Sequence, residues 1–148
     1  MPSSTLTTVQ DLSDQVGRKV HNFATDTFKI ALTNSAPLVT NTVLADITQI
    51  ANGGGYTGGA GGGYTLAGVS YTEVAGVSTF SHTNHVITAT GGSVGPFQYV
   101  VYYNDTATSP ADALLGWISY GSALTLQDTE TFTVKFNNAS PGTIHTAT

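Results

Sequence analysis

The side chains with most capacity for chemistry in this sequence are few, and each belongs to a weak pattern. His82 and His85, in "HTNH", have a spacing that converges on a metal if they straddle a turn, with His21 or His145 as a distant third ligand. Two neutral imidazoles make a poor site, and a polar turn between "VSTF" and "VITA" accounts for them as well. Residues 53 to 58, GGGYTG, match the glycine spacing by which a dinucleotide fold cradles a pyrophosphate. That motif must follow a strand and open a helix, whereas a helix-like segment precedes it here and β-like sequence follows, and no GK[ST] supplies a P-loop lysine. Asp105, Asp112, Asp128 and Glu130 are the carboxylates available for acid–base work, and all fall at expected turns or strand starts, where turn formation explains the aspartates. No G-x-S-x-G elbow sets up a nucleophilic serine. "NDT" at Asn104 and "NAS" at Asn138 match a glycosylation acceptor pattern, which has force only in a secreted chain. The expectation is therefore no catalytic residue, no cofactor and no metal: the chain reads as a non-enzyme.

Composition narrows the partners. Only 9% of residues are charged, against roughly 25% in an ordinary soluble domain, so hydroxyls and small side chains must make most of the surface. Four basic residues, Arg18, Lys19, Lys29 and Lys135, face nine acidic ones, and a net charge of -5 does not neutralise phosphates, which argues against direct nucleic-acid binding. With no cysteine, disulfides and thiolate metal sites are excluded. No standard secretion signal opens the chain, and no run of about 18 apolar residues marks a membrane span.

The elements that must position these residues read as follows. Val9, Leu12, Val16, Val20 and Phe23 recur at spacings of three and four, which predicts a short amphipathic helix after Thr8 or Asp11, weakened by Gly17. Its stripe serves core contact or docks a partner. From Thr27 the period becomes two, with Phe28, Ile30 and Leu32 inward, as in a half-buried strand. "NTVLADITQIA" suggests a helical turn behind Asn41, or an extended crossover. Then come short β-like runs: "YTLAGVSYTEV", "GVSTFSH", "HVITAT", "PFQYVVYYN", "LLGWISY", "ALTL" and "ETFTVKFN", parted by turn signals at "TGGSVGP", "NDTATSPAD", "YGS", "QD" and "NNASPG". In the last run Phe132, Val134 and Phe136 alternate with Thr131, Thr133 and Lys135. "QYVVYY" and "LLGWI" are apolar on both faces, which marks central strands covered on each side or facing another subunit.

These signals predict a mainly β chain, an antiparallel β-sandwich of jelly-roll type, with a short N-terminal helix and a long Gly-rich loop. Residues 1–148 form one domain, 1–24 its N-terminal arm or helix and 52–65 the loop. That loop, "NGGGYTGGAGGGYT", packs eight of the 17 glycines into fourteen residues and repeats GGGYT, placing Tyr56 and Tyr64 at equivalent positions. It is expected to be a surface loop ordered by its own sheet or by a neighbouring subunit, with the tyrosines as anchors. The aromatic set Phe97, Tyr99, Tyr102, Tyr103, Trp117 and Tyr120 either packs the core or stacks sugars. Candidate interface residues are Tyr56, Tyr64, Leu12, Val16, Tyr102 and Trp117.

Four phrases in order, "FKIALTNSAP", "VLADITQIANGGGYT", "GGSVGPFQYVVYYNDTA" and "LLGWISYGSALTLQDTETFTV", resemble a family of small virion structural proteins of tailed bacteriophages over roughly residues 10 to 137. Such proteins are similar in size and composition to capsid decoration, or cement, proteins, some of which are jelly rolls. The resemblance implies a protein made in the host bacterial cytoplasm and placed on the capsid exterior. Its partner there would be the major capsid protein, with a homo-dimer or homo-trimer on a lattice symmetry axis. A tail, connector or fibre-base part, or a displayed glycan-binding module, is the alternative.

Overall fold

The computed structural model describes residues 6–134, of which 74 and 77–79 by backbone alone, and the backbone of 142–146. Strands take up 47% of the chain and helix 7%, and all strand pairing is antiparallel, so the chain is mainly β. In chain order the elements are β1 (Thr7–Thr8), α1 (Leu12–Gly17), β2 (Phe28–Thr33), a 3-10 turn (Leu44–Asp46), β3 (Tyr64–Thr65), β4 (Ser70–Val74), β5 (Val77–Ser81), β6 (His85–Thr88), β7 (Val94–Thr108), β8 (Ala111–Leu126), β9 (Thr131–Val134) and β10 (Gly142–Thr146). They form a five-stranded sheet, β1-β8-β7-β2-β3, a three-stranded sheet, β10-β5-β4, and a two-stranded sheet, β6-β9. Lys135, Phe136 and Asn138, the side chain of His145 and the first five residues of the arm lie outside the described residues.

The strand "QYVVYY" is the centre of the large sheet, as its two-sided apolarity implies. In the β2–β7 register Phe28, Ile30 and Leu32 oppose Asn104, Tyr102 and Val100, so these six side chains share one face. Aromatic rings close that face: Phe80 of β5 meets Phe28 edge-on at 5.5 Å, and Phe23 stacks on Tyr71 of β4 at 4.4 Å. Further along, Phe132 of β9 meets Phe97 at 5.3 Å and Tyr120 at 5.4 Å. The opposite face carries Lys29, Ala31 and Thr33 beside Tyr103, Val101 and Tyr99. Residues 44–63 cover it: Lys29 Nζ donates to the Gly61 carbonyl at 2.6 Å, and Tyr103 Oη donates to the Gly62 carbonyl. Ala31, Thr33, Val101 and Tyr103 are accordingly buried although they alternate with the main core face.

Several expected boundaries move. The helix expected over 9 to 23 shortens to α1, because a Schellman cap ends it: Lys19 N–H donates to Val16 O at 3.1 Å and Val20 N–H to Gln15 O at 2.9 Å. Leu12 and Phe23 are buried as the stripe implies, but Phe23 lies beyond the helix. Asp11 holds the N-cap position without capping; its carboxylate takes the Gln15 amide at 2.6 Å instead. "VLADI" makes one 3-10 turn, capped by the Asp46 carboxylate from the amides of Thr42 at 2.9 Å and Val43 at 3.2 Å, not by Asn41. "NDTATSPAD" is not a long turn: β7 runs through it to Thr108, and Ser109 and Pro110 alone reverse the chain. "YGS" does not separate two strands either. It is a bulge within β8, where Tyr120 to Ala123 stand out between the pairs Tyr99–Ser119 and Phe97–Leu124.

Candidate interface

The glycine-rich tract is a compact loop fastened to its own sheet at several points. Gly53 and Tyr56 exchange backbone hydrogen bonds at 3.1 and 2.9 Å, closing its first repeat into a tight turn. Asn52 Oδ1 takes Gly58 N–H at 2.8 Å, Gln49 Nε2 donates to Gly59 O at 3.0 Å, and Gly63 N–H donates to Thr57 O at 2.8 Å. The second repeat is pinned from below by charge. Lys29 reaches Gly61 O and stands 3.9 Å from Asp105, and Asp112 Oδ2 takes Gly61 N–H at 3.1 Å. Gly63, at φ +90, passes so close to β2 that a Cβ there would sit 2.0 Å from the Ile30 carbonyl. Only glycine permits that approach. The loop is therefore ordered by its own sheet, one of the two expected ways.

Tyr56 does the anchoring inward. Its ring is 1% exposed, its Oη takes Leu32 N–H at 3.1 Å, and its proton goes to Gln49 Oε1 at 2.7 Å. Burial pushes its pKa up to about 12, so it remains a neutral phenol. Its counterpart Tyr64 lies half-buried in β3, 5.7 Å from Tyr56 and 5.3 Å from the His85 ring, and burial raises its pKa as well. The repeat thus places two tyrosines side by side within the chain's own packing.

The candidate interface residues divide by exposure. Leu12 at 2%, Tyr56 at 1% and Tyr102 at 0% are core residues of the chain, so as it stands they present almost no surface to a partner. The physical reason is that their apolar surface is already buried in the chain's own core, Tyr102 edge-on to Phe80 at 6.4 Å and Tyr56 beside Tyr64. Val16, Tyr64 and Trp117 are half-buried against the same core. Tyr102 also serves a buried pair. His82 Nδ1 donates to Thr83 O at 2.7 Å, which fixes the tautomer, and Nε2 accepts from Tyr102 Oη at 2.9 Å. Both ring nitrogens being engaged, His82 does not present itself to a metal. His82 lies in the turn between β5 and β6 as expected, but it is buried there, and burial lowers its pKa and that of His85.

His21 is far from this pair in role. Asn104 Nδ2, buried, contacts its Nδ1 at 3.1 Å, the Asp26 carboxylate at 2.7 Å and Val20 O at 3.3 Å. Burial pushes the His21 pKa down to about 4, against the smaller opposing pull of Asp26 and Asp11. Asn104 is 0% exposed, so the "NDT" pattern offers no accessible acceptor. Asp105 lies inside β7 rather than in a turn, Asp112 stands at the start of β8 at φ +52 as expected, and both serve the loop. Asp128 caps Gly91 at 2.9 Å and Glu130 takes Gln127 N–H at 2.7 Å, ordinary turn roles. Among the described residues no group of three or more His, Asp or Glu stands where it would hold a metal, and no helix is long and apolar enough to cross a membrane.

Lys29, Gln49, Tyr103 and Asp112 hold the loop in place, a role that the sequence pattern gave to none of them. One signal existed for Lys29: it is the lone charge in the apolar strand "FKIALT". What the loop shows outward is backbone and small side chains. Asn52 to Ala60 and Thr90 to Ser93 contain no charged residue, and they meet where Thr90 N–H donates to Gly54 O at 3.0 Å. No protein-family model, no curated protein and no solved structure matches this chain.

Proposed function

We propose that this chain is a virion structural protein of a tailed bacteriophage, a capsid decoration or cement protein that bridges major capsid protein subunits on the outside of the head. The observation that carries the reading is the face built from Asn52 to Ala60 and Thr90 to Ser93, whose own residues carry no charge and whose loop is held in one shape by the Gly53–Tyr56 turn, Asn52 and Gln49, with Lys29, Asp112 and Tyr103 pinning the adjoining Gly61 and Gly62. A preordered surface whose own residues are uncharged loses little conformational entropy on docking and desolvates little charge. Repetition over a lattice turns a modest contact into firm attachment. The four-phrase resemblance points to the same class. The architecture is a single β-sandwich of jelly-roll type, the five-stranded sheet forming one layer and the two smaller sheets the other. The protein acts as a dimer or trimer on a symmetry axis, without catalysis or cofactor.

Heads assembled with and without the chain test this directly. Heads lacking it lose DNA at a lower temperature or in low salt; equal stability of the two would sink the idea. Copy number separates the alternative of a tail, connector or fibre-base component: copies on the order of hundreds per particle mean a lattice, roughly a dozen or fewer a tail or vertex part.

A further inference from the structure

An open groove of about 420 Å³ lies between the end of α1 and the tip of the β7–β8 hairpin. Arg18, Lys19, Asn22 and Asp26 line one side and Thr106, Thr108 and Ser109 the other. Two of the chain's four basic residues meet here, in a protein whose net charge is -5. Their donors are largely open. Arg18 commits Nε to Asp14 at 2.7 Å, which leaves its two terminal nitrogens, and no ion pair holds Lys19 among the described residues. Asp26 Oδ2 is taken by Asn22 N–H at 2.9 Å and Asn104 Nδ2 at 2.7 Å, leaving Oδ1 to accept. Thr106 Oγ1 accepts Thr27 N–H at 2.8 Å and keeps its own proton to donate.

The backbone gives a second, independent reason to look here. Lys19 sits at φ +64, the left-handed position of the Schellman cap, a place filled most often by glycine. A cation near a helix C-terminus is favourable anywhere in the last turn. The dipole therefore explains a lysine nearby but not a lysine in the strained position itself. Strain of this kind, kept on a side chain that lines a cleft, points to use of that side chain.

We propose that this cleft binds a sugar acid, a saccharide unit bearing a carboxylate. Arg18 and Lys19 take the carboxylate, for which a guanidinium fork and an ammonium are suited. Asp26 Oδ1, the Asn22 amide and the hydroxyls of Thr106, Thr108 and Ser109 take the sugar hydroxyls. No aromatic ring lines the cleft, so recognition rests on hydrogen bonds and charge. This site is independent of the virion reading, since it is measured on the isolated chain and that reading is measured on heads.

The test is a titration of the isolated protein with digalacturonate, followed by backbone amide shifts, with acetate and a neutral disaccharide as parallel probes and Lys19→Gly and Arg18→Gln as variants. The expected result is saturable binding that moves the amides of Lys19 to Asn22 and Thr106 to Ser109, at least tenfold weaker in both variants. Lys19→Gly is also expected to melt at a higher temperature, because glycine relieves the left-handed strain. Tighter binding together with lower stability is then a property of Lys19 that a merely structural residue would not have. Absence of saturation, equal response to acetate, unchanged affinity in Lys19→Gly, or no gain in its melting temperature would each overturn the proposal.

Discussion

Tyr56 shows how one hydroxyl finishes a sheet. β3 is only two residues long, so Leu32 N–H, on the same edge of β2, finds no strand opposite and is satisfied by Tyr56 Oη. Tyr56→Phe keeps the ring but orphans that buried amide, and a loss of about 1–3 kcal/mol is expected in a denaturant titration; unchanged stability would contradict the role given to the hydroxyl. The histidines set a pH response of definite sign. An unfolded histidine titrates near 6.5, whereas burial lowers His21 to about 4 and also lowers His82 and His85. The His21 contribution is complete above pH 6.5 and is lost as the pH falls toward 4, with His82 and His85 acting in the same sense below 6.5, because the unfolded chain takes up protons that the folded chain refuses. For His21 alone the loss at pH 4 is about 3 kcal/mol. Urea midpoints for the chain and for His21→Gln should converge as pH drops through this window, and parallel curves would refute the assignment. The sequence marks Tyr56 as an anchor through its repeat, but direction is invisible there: whether a tyrosine points inward depends on a strand paired from elsewhere in the chain.

At the scale of elements, what was legible follows from periodicity. The alternation in "FKIALT" and the apolarity of "QYVVYY" locate β2 and the sheet centre, because side-chain burial in a strand is written residue by residue. Strand ends were less legible. "NDTATSPAD" is rich in turn formers, yet pairing with β8 holds it extended as far as Thr108, since ladder bonds outweigh local preference. The stripe over Val9 to Phe23 reported burial at Val9, Leu12 and Phe23, with Val16 and Val20 half-buried, but not helix, because Phe23 reaches the same core from an irregular segment. Two glycines carry close approaches that no period reveals. Gly63→Ala would drive a methyl into the Ile30 carbonyl and part the loop from β2. A Cβ at Gly116 would lie 2.2 Å from Thr7 O, so Gly116→Ala should push β1 off the sheet edge. The second variant is expected to fold with its N-terminal arm exposed to limited proteolysis, and the first to lose stability by more than about 1 kcal/mol; wild-type protease resistance in Gly116→Ala would show that β1 is held by other means.

Over the whole molecule, charge is sparse and its described clusters are local: Lys29 with Asp105 and Asp112 under the loop, Arg18 and Lys19 with Asp26 at the cleft. The outer residues of the glycine loop, Asn52 to Ala60, carry no charge, and the proposal that the protein is a cement rests on that face meeting a lattice. The mainly β class was readable from the succession of short alternating runs. The order within the loop was not, because it depends on Lys29, Gln49, Tyr103 and Asp112, which the fold brings together from separate parts of the chain. A density map of the intact particle tests the central claim most directly. The account predicts density for this chain on the outer head lattice, in repeated copies about symmetry axes, with the Asn52 to Ala60 face turned to the major capsid protein. Density confined to the tail or connector, or that face turned to solvent, would contradict it.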